Sequence, residues 1–332
     1  MVLVVRHSQY GPPADTVEVV DEDPGPLSEG EALVELLAAP IAFQDFYRIS
    51  GRPGFARPLP DVPGNRGVGR VIAVAPDVGR VAVGDRVYLP FYNRGCWREH
   101  MRCAAAALHG APKHADPYQL AMVNGNLLTA YVMLRDVVPD LSPGEWVIQD
   151  AANSNCGNFV IQLARAFGLR TVNVVRRPGL EAELAAEGAD AVVVDGPNLA
   201  ERVQVATGRA PIRLALDMVA GSTTGRLAAS LAPFGTVAVY GQVSGQECDV
   251  PVHVLLFRQV RVVGFLTGPW LERSKRSPAA IDAIYDELSE LVVKGVVRSR
   301  IAGVYPFAHV GDALRHAAES GGRRGKVLLT PR

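Results

Sequence analysis

The chain has 332 residues, 48% of them hydrophobic and 20% charged, with 34 Lys and Arg against 34 Asp and Glu. That length predicts two domains with sizeable buried cores rather than one. A net charge of zero gives no one-signed field, which argues against nucleic acid or a membrane surface as partner.

The opening Met1-Val-Leu-Val-Val-Arg-His is too short an apolar run for a signal peptide. No uninterrupted apolar stretch reaches the length of a bilayer span. Four scattered cysteines (Cys96, Cys103, Cys156, Cys248) form no CxxC pair, so neither a disulfide framework nor a structural zinc site is indicated. A soluble cytoplasmic protein is expected.

Taken in order, residues 2 to 110 read as β-rich. Val2 to Val5, Thr16 to Val20 and Glu31 to Ala38 are strand-like and separated by Gly, Pro and Asp. Gly67 to Val74 and Val83 to Pro90 follow as two strands joined by a Gly/Pro turn, and Gly95 to Met101 begins another. Strands of this spacing predict a partly open antiparallel β-barrel. From Pro117 to Val138 the chain reads as mostly helical.

After Glu145 strands alternate with helices. Trp146 to Gln149, Thr171 to Val175, Ala191 to Val194, Leu214 to Met218, Gly235 to Tyr240 and Arg261 to Phe265 are the strands. Helices fall near 158–167, 179–187, 197–207 and 221–232, which predicts a parallel, doubly wound sheet. Pro278 to Lys294 is a long amphipathic helix, and Ile301 to Val304 and Lys326 to Thr330 return to strand character. The boundaries so drawn give residues 1–118 with 300–332 as one domain and 119–299 as the other.

The stretch from Glu145 to Arg177 organises the second domain. Phe159, Val160, Leu163, Ala164 and Phe167 form one apolar stripe of helical period, and Gly168 stops that helix. Strand, turn, helix and strand make a βαβ unit whose first turn, Asn153-Ser154-Asn155-Cys156-Gly157, lies where a dinucleotide pyrophosphate meets helix amides. Only Gly157 supplies a glycine there, with Asn155 as the residue best suited to a left-handed turn, so a plain buried βαβ unit stands beside the dinucleotide reading. The second strand ends in Arg176-Arg177, with no acid until Glu181. Two guanidiniums suit the 2′-phosphate of NADPH, where an acid would have suited the ribose of NADH; two solvated arginines are the alternative.

Pro63-Gly-Asn-Arg-Gly-Val, Gly84-Asp-Arg-Val, Leu127-Leu-Thr-Ala-Tyr, Leu141-Ser-Pro-Gly-Glu, Tyr240-Gly and Gly325-Lys-Val-Leu-Leu together resemble the medium-chain dehydrogenase/reductase superfamily over nearly the whole chain. Val147 to Ser154, Gly168 to Arg176 and Gly95-Cys-Trp-Arg-Glu are similar to the mitochondrial-type 2-enoyl thioester reductases within it. The resemblance implies a GroES-like partly open β-barrel catalytic domain plus a Rossmann cofactor domain. It also implies an NADPH-dependent, zinc-independent reductase, since Ala42-Phe-Gln-Asp and Gly64-Asn65-Arg66 stand where a catalytic zinc would need Cys and Gly-His-Glu. By the same resemblance Asn126 contacts the nicotinamide half, and Asn153, Ser154, Asn155, Cys156 and Gly157 hold the pyrophosphate. Arg176 and Arg177 then take the 2′-phosphate, Tyr240, Gly241 and Phe265 line the nicotinamide, and Lys326 reaches the cofactor. Trp97 and Trp270 match tryptophans near the cleft and read as core aromatics.

The enoyl reductases carry a tyrosine shortly after the glycine that matches Gly51, and here Pro53 stands in its place. Arg66 replaces an acid of the family. Tyr47 matches a tyrosine of the quinone oxidoreductases and is the candidate proton donor or orienting hydroxyl; packing against cofactor or substrate is its other reading. Arg48, Arg52 and Arg57 suit the phosphates of a CoA or carrier-protein thioester, or else form a solvated loop. Three functions therefore stay open: an enoyl thioester reductase, an NADPH:quinone or small-enone reductase, and a catalytically retired NADPH-binding homologue. A homodimer through the edge strand Arg261 to Phe265 is implied by analogy.

Overall fold

Alternating burial sets the first sheet. In β3 (Glu31–Pro40), Ala32, Val34, Leu36 and Ala38 point inward while the residues between them are half-exposed, the period-2 pattern of a one-sided strand. The computed structural model describes residues 1–90, 95–319 and 325–332. Around β3 lie β1 (Val2–His7), β2 (Val17–Glu22), β4 (Val68–Val74), β5 (Arg86–Tyr88), β6 (His100–Ala104) and β7 (His109–Gly110).

The second half of the chain follows as β8 (Trp146–Gln149), β9 (Arg170–Val175), β10 (Ala191–Val194), β11 (Ile212–Asp217), β12 (Thr236–Val239) and β13 (Arg261–Gly264). It closes with β14 (Ile301–Pro306) and β15 (Lys326–Thr330). The chain divides into two compact units, Met1–Gly125 with Arg276–Arg332, and Asn126–Lys275.

The first unit is a seven-stranded sheet ordered β14-β15-β3-β4-β5-β7, with β6 on β3 and a separate β1-β2 hairpin. Among the described residues it closes no barrel, in keeping with the partly open barrel expected. Its pairings are antiparallel except β14 with β15, which run parallel because the helix Val310–Ala318 crosses between them. Trp97, Ile41, Ile49, Leu89, Leu108 and Phe307 sit in its core.

The helix Pro278–Val293 differs from its sequence-based placement. Its Tyr285 ring stacks on His109 at 4.2 Å and on Tyr88 at 5.2 Å, and these aromatic contacts tie it to the first unit. Residues 119–125 and 276–299 thus group with that unit, not with the parallel sheet.

The second unit is a six-stranded parallel sheet ordered β10-β9-β8-β11-β12-β13. Chain order runs outward one way from β8 and then outward the other way from β11, so the order reverses between these neighbours. Ligands bind at the carboxyl ends of strands at such a switch point. The helix Asn155–Ala166 covers the sheet with Phe159, Val160, Leu163 and Ala164, all buried. Each large apolar side chain so removed from water contributes roughly 1.5–3 kcal/mol. Among the described residues no helix is long and apolar enough to cross a membrane.

Candidate functional site

The turn after β8 is built for close approach. The helix that follows begins at Asn155, three residues earlier than its apolar stripe suggests, because Ser154 caps it: the Ser154 Oγ accepts the Gly157 amide at 3.0 Å. A Cβ on Gly157 would lie 2.5 Å from the Ala152 carbonyl oxygen and 2.8 Å from that of Ala151. Only glycine lets the helix close on the turn. The left-handed residue is Ala151, at φ 43°, and not Asn155, which is helical. The turn therefore spends its conformational strain two residues after the strand, at Ala151.

Buried polar side chains support the turn from below. Gln149, at the end of β8, donates to the Gly157 carbonyl at 2.9 Å and to the Asn173 Oδ1 at 2.8 Å. Asn173 in turn donates to the Ala191 carbonyl at 3.1 Å, joining β8, β9 and β10 beneath the turn. Neither residue stood out in the sequence, since a lone amide in an apolar strand carries no motif.

The other cofactor candidates of the second unit stand at the same edge. Arg176 and Arg177 follow the last residue of β9 and are exposed; Arg176 makes no ion pair among the described residues. Tyr240 and Gly241 follow β12, and Phe265 follows β13. The carbonyl of Asn126 accepts the Cys156 thiol at 3.6 Å, which brings Asn126 to the turn. Asn153 is exposed there. A Cβ on Gly241 would lie 2.7 Å from the Met218 carbonyl oxygen, so this turn too is packed on backbone. Phe265 is buried and packs on Trp270 at 5.1 Å, which leaves its ring more core than lining. A tight glycine turn, a helix N-terminus and an exposed guanidinium at one strand edge fit a phosphorylated dinucleotide.

At the switch point itself lie two carboxyls that no motif announced. Gln149 pairs with Leu216, so the next residues, Asp150 and Asp217, stand abreast; they are 1% and 0% exposed. Asp150 accepts the Met218 amide at 2.7 Å and the Val219 amide at 3.3 Å. Asp217 accepts the amides of Val219 (3.0 Å) and Ala220 (2.7 Å) through one oxygen and the Thr224 hydroxyl at 2.5 Å through the other. Burial first, and then the charge of the adjacent Asp217, push the Asp150 carboxyl well above the usual carboxylate range. Burial likewise raises the Tyr240 phenol beside Cys156.

Tyr47 and Lys326 belong to the first unit. Tyr47 is half-buried on the helix Phe43–Ile49, its ring 5.1 Å from Phe55 with the Arg52 guanidinium 4.2 Å from its centre. Its hydroxyl has no hydrogen-bond partner among the described residues. The Lys326 Nζ donates to the Ile41 carbonyl at 2.9 Å.

Arg48 does not serve a substrate phosphate: it is 5% exposed and grips Asp61 with two hydrogen bonds of 2.5 Å. His7 joins the same carboxylate at 3.3 Å. Burial alone would raise Asp61, and the bonds from His7 and Arg48 overcome it and hold the carboxyl below its usual range. Arg52 and Arg57 remain on the surface side of this segment. Trp97 is fully buried, as a core aromatic should be.

Asp45 is fully buried and accepts the amides of Ala42 (2.8 Å) and Gly64 (3.2 Å) and the Asn65 side chain (3.1 Å). Burial raises its pKa, opposed by those amides and by the charges of Arg66 and Lys326.

Comparison with known proteins gives the family. Residues 28–139 match the alcohol dehydrogenase GroES-like domain, and residues 156–285 match the zinc-binding dehydrogenase family. The mitochondrial enoyl-[acyl-carrier-protein] reductase of Rattus norvegicus is 35% identical over 297 residues, covering 88% of this chain and 77% of its own. Among solved structures, a Bacillus thuringiensis protein assigned as an NADPH:quinone reductase superposes with a TM-score of 0.90 at 27% identity, over 99% of this chain and 98% of its own. A quinone oxidoreductase of Pseudomonas syringae pv. Tomato DC3000 gives 0.86 at 26% identity over all of both chains. The chain belongs to the medium-chain dehydrogenase/reductase superfamily, among the relatives of the mitochondrial enoyl reductases.

Proposed function

We propose that this chain is an NADPH-dependent reductase of an activated carbon–carbon double bond, with a 2-enoyl thioester as substrate. The observation that carries the cofactor is the gathering of Ser154, Gly157, Arg176 and the Tyr240–Gly241 turn along one carboxyl edge of a parallel sheet. The 35% identity to an enoyl reductase over most of the chain supports the substrate class.

Bound NADPH supplies a hydride, which an enoyl thioester takes at its β-carbon while a proton reaches the α-carbon. Ser154 and the amides of the following helix bind the pyrophosphate, and Arg176 with Arg177 the 2′-phosphate. Tyr47 offers its hydroxyl to the substrate carbonyl oxygen, where a hydrogen bond stabilises the charge that develops, or delivers the proton itself. Pro53 has no donor to give at the position of the family's tyrosine.

The enzyme works without zinc. At Ala42, Asn65 and Arg66 the side chains offer no ligand set, and Asp45 already accepts three hydrogen bonds among cations that oppose a metal. Three of the four cysteines are buried thiols and all are free, which suits a reducing cytoplasm.

A homodimer is supported by the edge strand β13 and its exposed apolar neighbours Val252, Leu256, Phe257 and Leu266.

A quinone or small enone is the second substrate reading, favoured by the Tyr47 aromatic cluster and by 27% identity to a protein assigned as an NADPH:quinone reductase. NADPH oxidation is to be followed with crotonyl-CoA and with a quinone. Faster turnover of crotonyl-CoA is expected; turnover of quinone alone replaces the first reading with the second. Tight NADPH binding with neither reaction identifies a retired homologue.

A further inference from the structure

We propose that Asp150 is a positioning residue of the cofactor site: buried abreast of Asp217, it locks Met218 and Val219 and, through them, the Tyr240–Gly241 turn. This rests on the reading that Tyr240 and Gly241 line the nicotinamide.

The linkage is a chain of hydrogen bonds. Asp150 accepts the amides of Met218 and Val219. The carbonyls of those residues accept the amides of Val243 at 3.1 Å and Ser244 at 3.0 Å, and the Asp217 carbonyl accepts that of Tyr240 at 2.8 Å. Gly241 presses against the Met218 carbonyl with no room for a Cβ. A shift of Met218 and Val219 therefore moves Gly241 and the following residues Val243 and Ser244, and with them the adjacent Tyr240.

Two buried carboxyls abreast at neighbouring strand ends are stable together while one keeps a proton, since two adjacent carboxylates repel in a low dielectric. The ionisable groups shown to face Asp150 are Asp217 from the end of β11 and Tyr240 from just after β12, with Cys156 beside Tyr240. None of these groups carries a positive charge that would offset a second carboxylate. The sign is that of a raised acid: the arrangement is fully stable below the ordinary carboxylate range and weakens as pH rises through the raised titration of Asp150.

The test uses Asp150→Asn, which keeps the shape and a permanent hydrogen-bond donor. NADPH dissociation constants and thermal unfolding midpoints are measured from pH 6 to pH 10 on wild type and variant. Wild type is expected to lose about tenfold in NADPH affinity over that range beyond any change in the variant, with its unfolding midpoint falling in parallel. Asp150→Leu, which cannot donate, is expected to lose affinity at every pH, and the Asn profile stands even where that variant fails to fold. Parallel wild-type and Asn profiles overturn the inference. Gly241→Ala separates this from the underlying reading: unchanged NADPH affinity in that variant removes Tyr240–Gly241 from the cofactor site and the inference with it. Weakened affinity there, with parallel Asp150 profiles, overturns only the inference.

Discussion

The six-stranded sheet of the second unit and the helix-and-turn segment 43–61 of the first carry their candidate side chains in different ways. In the sheet, topology assembles them: strands that run parallel must end at one edge, so residues after β8, β9, β12 and β13 meet whatever their identity. In the segment, nothing but particular side chains makes the arrangement. Arg48 turns inward to Asp61, while Arg52 turns onto the Tyr47 ring. A backbone-built site tolerates change in its lining, whereas a side-chain-built one is remade by a single substitution.

The sharpest way to break that contrast is Asp61→Asn. It leaves the buried Arg48 guanidinium without its carboxylate, which costs about 3–5 kcal/mol and is read as a lower urea midpoint. Because Asp61 is held below its usual range, its stabilisation is present above about pH 4 and is lost as pH falls through the lowered value. A loss under about 1 kcal/mol would mean that the segment is not built on this pair.

Next in size is Tyr47→Phe. If the hydroxyl handles the proton or the carbonyl oxygen, kcat falls about 100-fold while NADPH affinity stays put. Equal loss in kcat and cofactor binding points instead to a packing role beside Phe55.

On the sheet side the expected effects are smaller. Arg176→Ala removes one charged contact to the 2′-phosphate, so the preference for NADPH over NADH drops about tenfold. NADH kinetics stay as they were. An unchanged preference transfers the 2′-phosphate from Arg176 to other groups.

The same contrast explains what could be read from the sequence. Period-2 and helical patterns place the strands and helices of the sheet unit within a few residues, and the position of Arg176 just past a strand is legible in the same way. The carboxyl pair was not visible: Asp150 and Asp217 become neighbours only when β8 and β11 pair in register. Arg48 read as a surface cation because its partner lies beyond the turn at Asp61. The helix Pro278–Val293 was placed with the wrong unit because amphipathicity says that a face is buried, not against what; His109 and Tyr88 decide that.

The finest prediction asks what Arg52, half-buried in segment 43–61, recognises. Arg52 lies over the Tyr47 ring, a contact of about 0.5–1 kcal/mol, so its removal disturbs any substrate held by Tyr47. A CoA thioester would add phosphate contacts that a shorter thioester lacks. Arg52→Ala is therefore to be compared on crotonyl-CoA and on crotonyl-N-acetylcysteamine, which ends before the phosphates. An increase in KM of about threefold for the CoA ester alone, shrinking at high salt, assigns Arg52 to the phosphates. The same increase on both esters assigns it to Tyr47. In that case the enzyme reads the acyl group and not the carrier, and the small-enone reading gains what the CoA reading loses.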